Sequence, residues 1–186
     1  SFFNVLVDPG AVLAVFLLLG LAGAVYAVLN ASWIRVTRVS VPLANLPRSW
    51  REKKILWVSD LHLGQVRNYS YARKVVERMQ ELKPDIVFIG GDLYDGVAVD
   101  AEKVIESFAE LRAPLGVYYI TGNHEEFSVV SKERYLEAVR RTGIRILNNE
   151  LVTVDGLQII GVDYFDTVHS KDFRAILDRV HLRSEV

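Results

Sequence analysis

Three short clusters combine side chains able to hold a divalent cation. They are Asp60-Leu61-His62-Leu63-Gly64, Gly90-Gly91-Asp92-Leu93-Tyr94-Asp95-Gly96 and Thr121-Gly122-Asn123-His124-Glu125. Carboxylate, imidazole and amide oxygen, with no sulfur, are hard to intermediate ligands suited to Mn²⁺, Fe or Zn²⁺. Thiolate chemistry is excluded because the chain has no cysteine. Two metals about 3.5 to 4 Å apart need a bridging carboxylate besides ligands unique to each. Asp92, in the middle cluster, is the natural bridge. Taken singly, each cluster has an ordinary structural explanation: an Asp in a turn, a helix cap at Asp95, a Gly-Asn turn beside a surface His. Together they gain weight from where they fall.

Each cluster follows an apolar run. Lys54–Ser59, Asp85–Gly90 and Gly116–Thr121 read as buried strands, and helical spacing predicts helices over Tyr71–Leu82 and Lys132–Arg141. Asp100 is placed to cap a further helix through Leu111, and Gly143 to close the one ending at Arg141. Ile144–Leu147, Leu151–Val154 and Leu157–Val162 are further strands, the last two joined by Asp155-Gly156 in a two-residue hairpin. Val36–Val41 alternates like an edge strand, Pro42–Trp50 reads as a connection, and Phe173–Val180 as a last short helix. Alternating strands and helices predict an α/β fold with a mostly parallel sheet. In such sheets ligands bind beyond the carboxyl ends of the strands, so clusters distant in sequence converge there.

Of 186 residues, 51% are hydrophobic, and 22 Lys plus Arg nearly balance 23 Asp plus Glu. A net charge of −1 offers no general attraction for nucleic acid, and the apolar content excludes a disordered chain. The apolar excess is concentrated in Pro9–Ile34, 26 residues without a charge. A helix over about residues 10–33 is long enough to cross a bilayer, with Trp33 at its interfacial end. The alternative, a cleaved signal peptide ending near Ala22-Gly23-Ala24, lacks a preceding positive residue. Arg35, Arg38, Arg48, Arg51, Lys53 and Lys54 come after the run, whereas only Asp8 precedes it, which places the bulk of the chain in the cytoplasm. The expected organisation is an N-terminal segment 1–34, an edge strand and connection 35–53, and a catalytic domain 54–186.

The set Asp60-x-His62, Gly91-Asp92-x-x-Asp95 and Gly122-Asn123-His124-Glu125 resembles the calcineurin-like metallophosphoesterase superfamily. With Arg112-Ala-Pro-Leu-Gly-Val117 it is similar to the membrane-anchored bacterial branch. The resemblance implies an α/β/β/α sandwich of two sheets, two divalent metal ions and hydrolysis of phosphodiesters or phosphomonoesters by a metal-activated hydroxide. It implies Asp60 and His62 on the first metal, Asp92 bridging, Asn123 on the second, and His124 stabilising the transition state or protonating the leaving oxygen. Glu125, where the family usually has Asp, would orient His124. The family's later strand-end His and its final Gly-His-x-His are not in this sequence. His169 reads as a solvated loop residue and His181 as a helix end, so the domain is expected to be incomplete at its C-terminal side and weakly active alone. A nearby bilayer points to a lipid-linked phosphate as substrate. The alternative is a catalytically incomplete metal-binding or interaction module. A Rossmann-type nucleotide binder is excluded, because no Gly-x-Gly-x-x-Gly follows a strand.

Overall fold

The computed structural model describes residues 8–43, 45–96, 100–129, 131–169 and 178. The chain divides into two compact units, Ser1–Val39 and Ser40–Val186. In the first, helix α1 (Pro9–Ala31) starts on Asp8, whose carboxylate accepts the Gly10 N–H at 3.0 Å. An 18-residue window of it has a mean hydropathy of 2.6, and none of its residues is buried. At 1.5 Å per residue the helix is about 35 Å long, enough to cross a hydrocarbon core of about 30 Å.

The second unit opens with a 3-10 turn, Arg48–Trp50, followed by β1 (Ile55–Val58), α2 (Tyr69–Glu81) and β2 (Ile86–Gly90). Next come α3 (Ala101–Ile105), a 3-10 segment Glu106–Glu110, β3 (Val117–Ile120), α4 (Asn123–Glu126) and α5 (Lys132–Arg141). β4 (Arg145–Ile146), β5 (Glu150–Val154), β6 (Leu157–Gly161) and α6 (Tyr164–His169) complete the described elements. β1 to β4 form a parallel sheet in that order, so the ends of β1, β2 and β3 emerge side by side. Helical stripes contribute to the core: Ala72, Val75, Val76 and Met79 of α2, Val104 and Ile105 of α3, and Tyr135, Ala138 and Val139 of α5 are all buried.

β5 and β6 pair antiparallel with Val154 opposite Leu157. The two residues between them, Asp155 and Gly156, have φ of 46° and 82°, as a type I′ hairpin requires. Among the described residues the second sheet consists of this hairpin. The mixed α/β class and the parallel sheet agree with the sequence, while the second helical layer of the implied sandwich is not among the described residues.

Several expectations change. Val36–Val41 forms no strand: Val39 and Val41 are exposed and the alternation has no neighbour to pair with among the described residues. The Pro42–Trp50 connection carries a core residue, since Trp50 is buried and donates from Nε1 to the Val154 carbonyl at 3.0 Å. The helix from Asp100 tightens to 3-10 geometry at Glu106, and β1 is half open, with Ile55 and Trp57 exposed. The helix expected over Phe173–Val180, and His181, lie outside the described residues. α6 was not anticipated, and it places His169 at a helix end rather than in a loop. Its signal is local: Asp163 accepts the Asp166 N–H at 2.9 Å, an N-terminal cap followed by a short helix.

Candidate metal centre

The strand-end loops are fixed by alternation of buried and outward residues. Leu61 and Leu63 after β1, and Gly91 and Leu93 after β2, are buried, which leaves His62 and Asp92 between them partly exposed. The two loops continue the pairing of their strands: Asp60 N–H donates to Gly91 O at 3.1 Å, His62 N–H to Asp92 O at 3.0 Å, and Leu63 N–H to Leu93 O at 2.8 Å. Asp60, His62 and Asp92 all take left-handed backbone conformations, with φ of 57°, 47° and 50°. Such conformations are costly for residues with a Cβ and persist where the surroundings enforce them.

The third loop closes on the second with almost no space between them. A Cβ on Gly122 would lie 2.2 Å from Asp92 Oδ1, and one on Gly91 would lie 2.9 Å from Gly122 Cα, with Gly91 itself at φ 92°. Glycine at both positions is therefore a condition of the approach. α4 starts immediately after Gly122 and carries Asn123, His124 and Glu125 on its first turn.

His62, Asp92 and His124 converge. A ligand atom from each lies within 4.8 Å of the others, and the two imidazoles meet edge to face with centroids 4.3 Å apart. Asp92 Oδ1 accepts the His124 N–H at 2.9 Å, which leaves Oδ2 available to a cation. His124 Nδ1 lies 2.9 Å from the Asp95 carbonyl; a carbonyl only accepts, so Nδ1 carries the proton and Nε2 is the basic nitrogen. Asp60 is at the rim, its exposed carboxylate 4.0 Å from His62 Nε2. Asn123 lines a recess of about 240 Å³ with Asp92, Tyr164 and Thr167. The donors fit a divalent metal of intermediate softness: two imidazoles and a carboxylate within reach of one ion, with a further carboxylate and an amide alongside.

Glu125 sits elsewhere than expected. Its carboxylate, fully buried, accepts the N–H groups of Asp92 at 3.1 Å, Tyr94 at 2.9 Å and Gly122 at 2.8 Å. Burial pushes its pKa up, against the lowering effect of those bonds. The ring of His124 is held instead by the Asp95 carbonyl. Burial and the Glu125 charge likewise push the Tyr119 hydroxyl well above its ordinary value. Two supporting residues have no motif of their own. Arg67 reaches back to the carbonyls of Asp60 and Leu61 at 3.2 and 3.0 Å, and Asn148 pairs with Thr121 through both its amide atoms, at 3.0 and 2.9 Å. Their only signal is a polar side chain in a loop, which many solvated residues share.

Known proteins are similar to this chain in sequence. Residues 53–184 match the calcineurin-like phosphoesterase family. An uncharacterized metallophosphoesterase of Aquifex aeolicus is 34% identical over 142 residues, 76% of this chain and 53% of that protein. A transmembrane protein with metallophosphoesterase domain from Danio rerio is 31% identical over 148 residues, 75% of this chain and 34% of its own. The UDP-2,3-diacylglucosamine pyrophosphatase LpxG of Chlamydia muridarum is 28% identical over 136 residues, 66% of this chain and 41% of that protein. The chain thus spans about half or less of the length of these relatives. With the match covering most of its second unit and the three strand-end clusters inside it, the chain belongs to the calcineurin-like phosphoesterase family.

Proposed function

We propose that the protein is a membrane-anchored, metal-dependent phosphoesterase with Asp60, His62, Asp92 and Asn123 as metal ligands and His124 as the proton-handling group. The observation that carries this reading is Asp92, whose Oδ1 is tied to the His124 backbone while Oδ2 stays open beside two imidazoles. Asp60 and His62 would hold one divalent ion, Asn123 a second, and Asp92 both. Bound cations would supply positive charge to the phosphoryl oxygens and acidify a water for attack on phosphorus. His124, whose Nδ1 lies on the Asp95 carbonyl, would offer Nε2 to a leaving oxygen and there hold or give up a proton.

The substrate class is a phosphate ester on a lipid. Two facts support it: α1 is long and apolar enough for a membrane span, and one relative is named for hydrolysing a diacylated nucleotide sugar. The basic residues after α1 support a cytoplasmic catalytic domain. Counted over this chain alone, the ligand set is short of a two-metal complement, so the 186-residue stretch by itself should turn over slowly.

The test uses the full-length protein. It should cleave a chromogenic bis-phosphodiester in the presence of Mn²⁺, and Asp92→Asn should reduce that activity by a large factor, on the order of a hundredfold, as expected for loss of a ligand shared by both metals. Undiminished turnover in the Asp92→Asn variant would refute the ligand assignment.

A further inference from the structure

The geometry points to Glu125 as a positioning residue, a buried clamp that fixes Asp92 in its ligand conformation before any metal binds and takes no part in orienting His124. That Asp92 is a ligand rests on the function proposed above. The clamp itself rests on hydrogen bonds between this chain's own groups.

An ionised carboxylate with no solvent contact is expensive unless its lone pairs are filled. Here three N–H groups fill them, and they come from both loops that flank the centre: Asp92 and Tyr94 after β2, Gly122 after β3. Asp92 needs such support because it sits at φ 50°. Its N–H is held by Glu125, its carbonyl by the His62 N–H and its Oδ1 by the His124 N–H, so only Oδ2 is left for a cation. Side-chain length matters to this arrangement. Glu125 occupies the third position of α4 and reaches back past Gly122 to the second loop, a span that an aspartate, one methylene shorter, does not cover without moving the helix. The task usually given to an acid beside a histidine, holding its far nitrogen, is done by a backbone carbonyl, since Asp95 O lies 2.9 Å from His124 Nδ1.

This separates two roles that the sequence cannot distinguish. A residue that orients His124 controls the proton, and its loss moves a limb of the pH–rate profile. One that clamps Asp92 controls preorganisation, and its loss weakens metal binding while leaving the limbs in place. Outer-shell partners of metal ligands typically account for about 10- to 100-fold in metal affinity.

In the full-length protein, Glu125→Gln and Glu125→Asp should each weaken Mn²⁺ binding, read by titration calorimetry, by about 10- to 100-fold. At saturating Mn²⁺, kcat should recover to near the parent value, with both limbs of the pH profile unmoved. Unchanged Mn²⁺ affinity, or a shifted limb, would overturn the clamp. Asp92→Asn is the companion measurement: if it leaves Mn²⁺ binding intact, the ligand assignment fails, whereas intact binding in the Glu125 variants alone sinks only the clamp. A third measurement needs no variant. In the metal-free parent the amides of Asp92, Tyr94 and Gly122 should be protected from hydrogen exchange, and exchange at the rate of an open loop would refute the inference even if both variants misfold.

Discussion

Asp92 and Gly122 are best understood as one unit, because the carboxylate occupies the space that a side chain on the glycine would need. Gly122→Ala would put a methyl 2.2 Å from Asp92 Oδ1 and 2.6 Å from its backbone nitrogen. Overpacking of this kind typically costs about 1–3 kcal/mol, so the variant should melt lower by several degrees and lose Mn²⁺ affinity together. A thermal melt with and without Mn²⁺ checks both. At this scale much was legible in the sequence. The residue types in Asp60-x-His62, Asp92 and Asn123-His124 already specify oxygen and nitrogen donors, and the structure brings His62, Asp92 and His124 within one ion's reach. The partner of Glu125 was not legible, because its contacts are to backbone N–H groups, which nearly every residue carries. Arg67 and Asn148 escaped notice in the same way, since Arg67 bonds to backbone carbonyls and Asn148 in part to a backbone N–H.

Among the elements, the junction of β1 and β2 offers the cleanest test of electrostatics. Asp85 accepts the Lys54 N–H at 2.8 Å and the Lys53 ammonium at 3.0 Å, and these bonds hold its carboxyl below its ordinary pKa of 3.8. A carboxylate with a lowered folded-state pKa stabilises the fold above the unfolded value and loses that contribution as pH falls through the folded one. Asp85→Asn should therefore lower the melting temperature at pH 7, with the difference from the parent fading below about pH 4 and gone once the parent's Asp85 is protonated in the folded state as well as the unfolded. A penalty that stays constant down to about pH 2 would contradict this. β1, β2 and β3 were readable because each is an apolar run ending in polar residues. Val36–Val41 shows where that signal fails: alternation records which residues suit a pleated surface, whereas a strand also requires a neighbour to bond. α6 shows the converse, a six-residue helix too short for periodicity and visible only through its Asp163 cap.

For the whole molecule, the sequence sets an apolar N-terminal helix before a charged α/β stretch, and the chain divides into the units Ser1–Val39 and Ser40–Val186. The cytoplasmic side proposed for the second unit can be measured by thiol labelling, since these 186 residues contribute no cysteine of their own. Lys74→Cys introduces a thiol at an exposed position on α2, in a full-length protein cleared of other cysteines. In intact cells an impermeant thiol reagent should leave it unlabelled, and it should react after permeabilisation. Labelling before permeabilisation would reverse the orientation. The exposed Ile55 and Trp57 on β1 belong to this scale too, since they were expected inside the protein and the described part of the chain leaves them outside.

The left-handed backbone at Asp60, His62 and Asp92 has an evolutionary consequence. Conformations of this kind cost of order 1–3 kcal/mol each for ordinary side chains, and glycine or asparagine adopts them more cheaply. Thermal persistence and function thus pull in opposite directions at these three positions. A lineage selected for heat resistance alone would be expected to lose His62 early, to a residue that relaxes the turn and can no longer hold a metal.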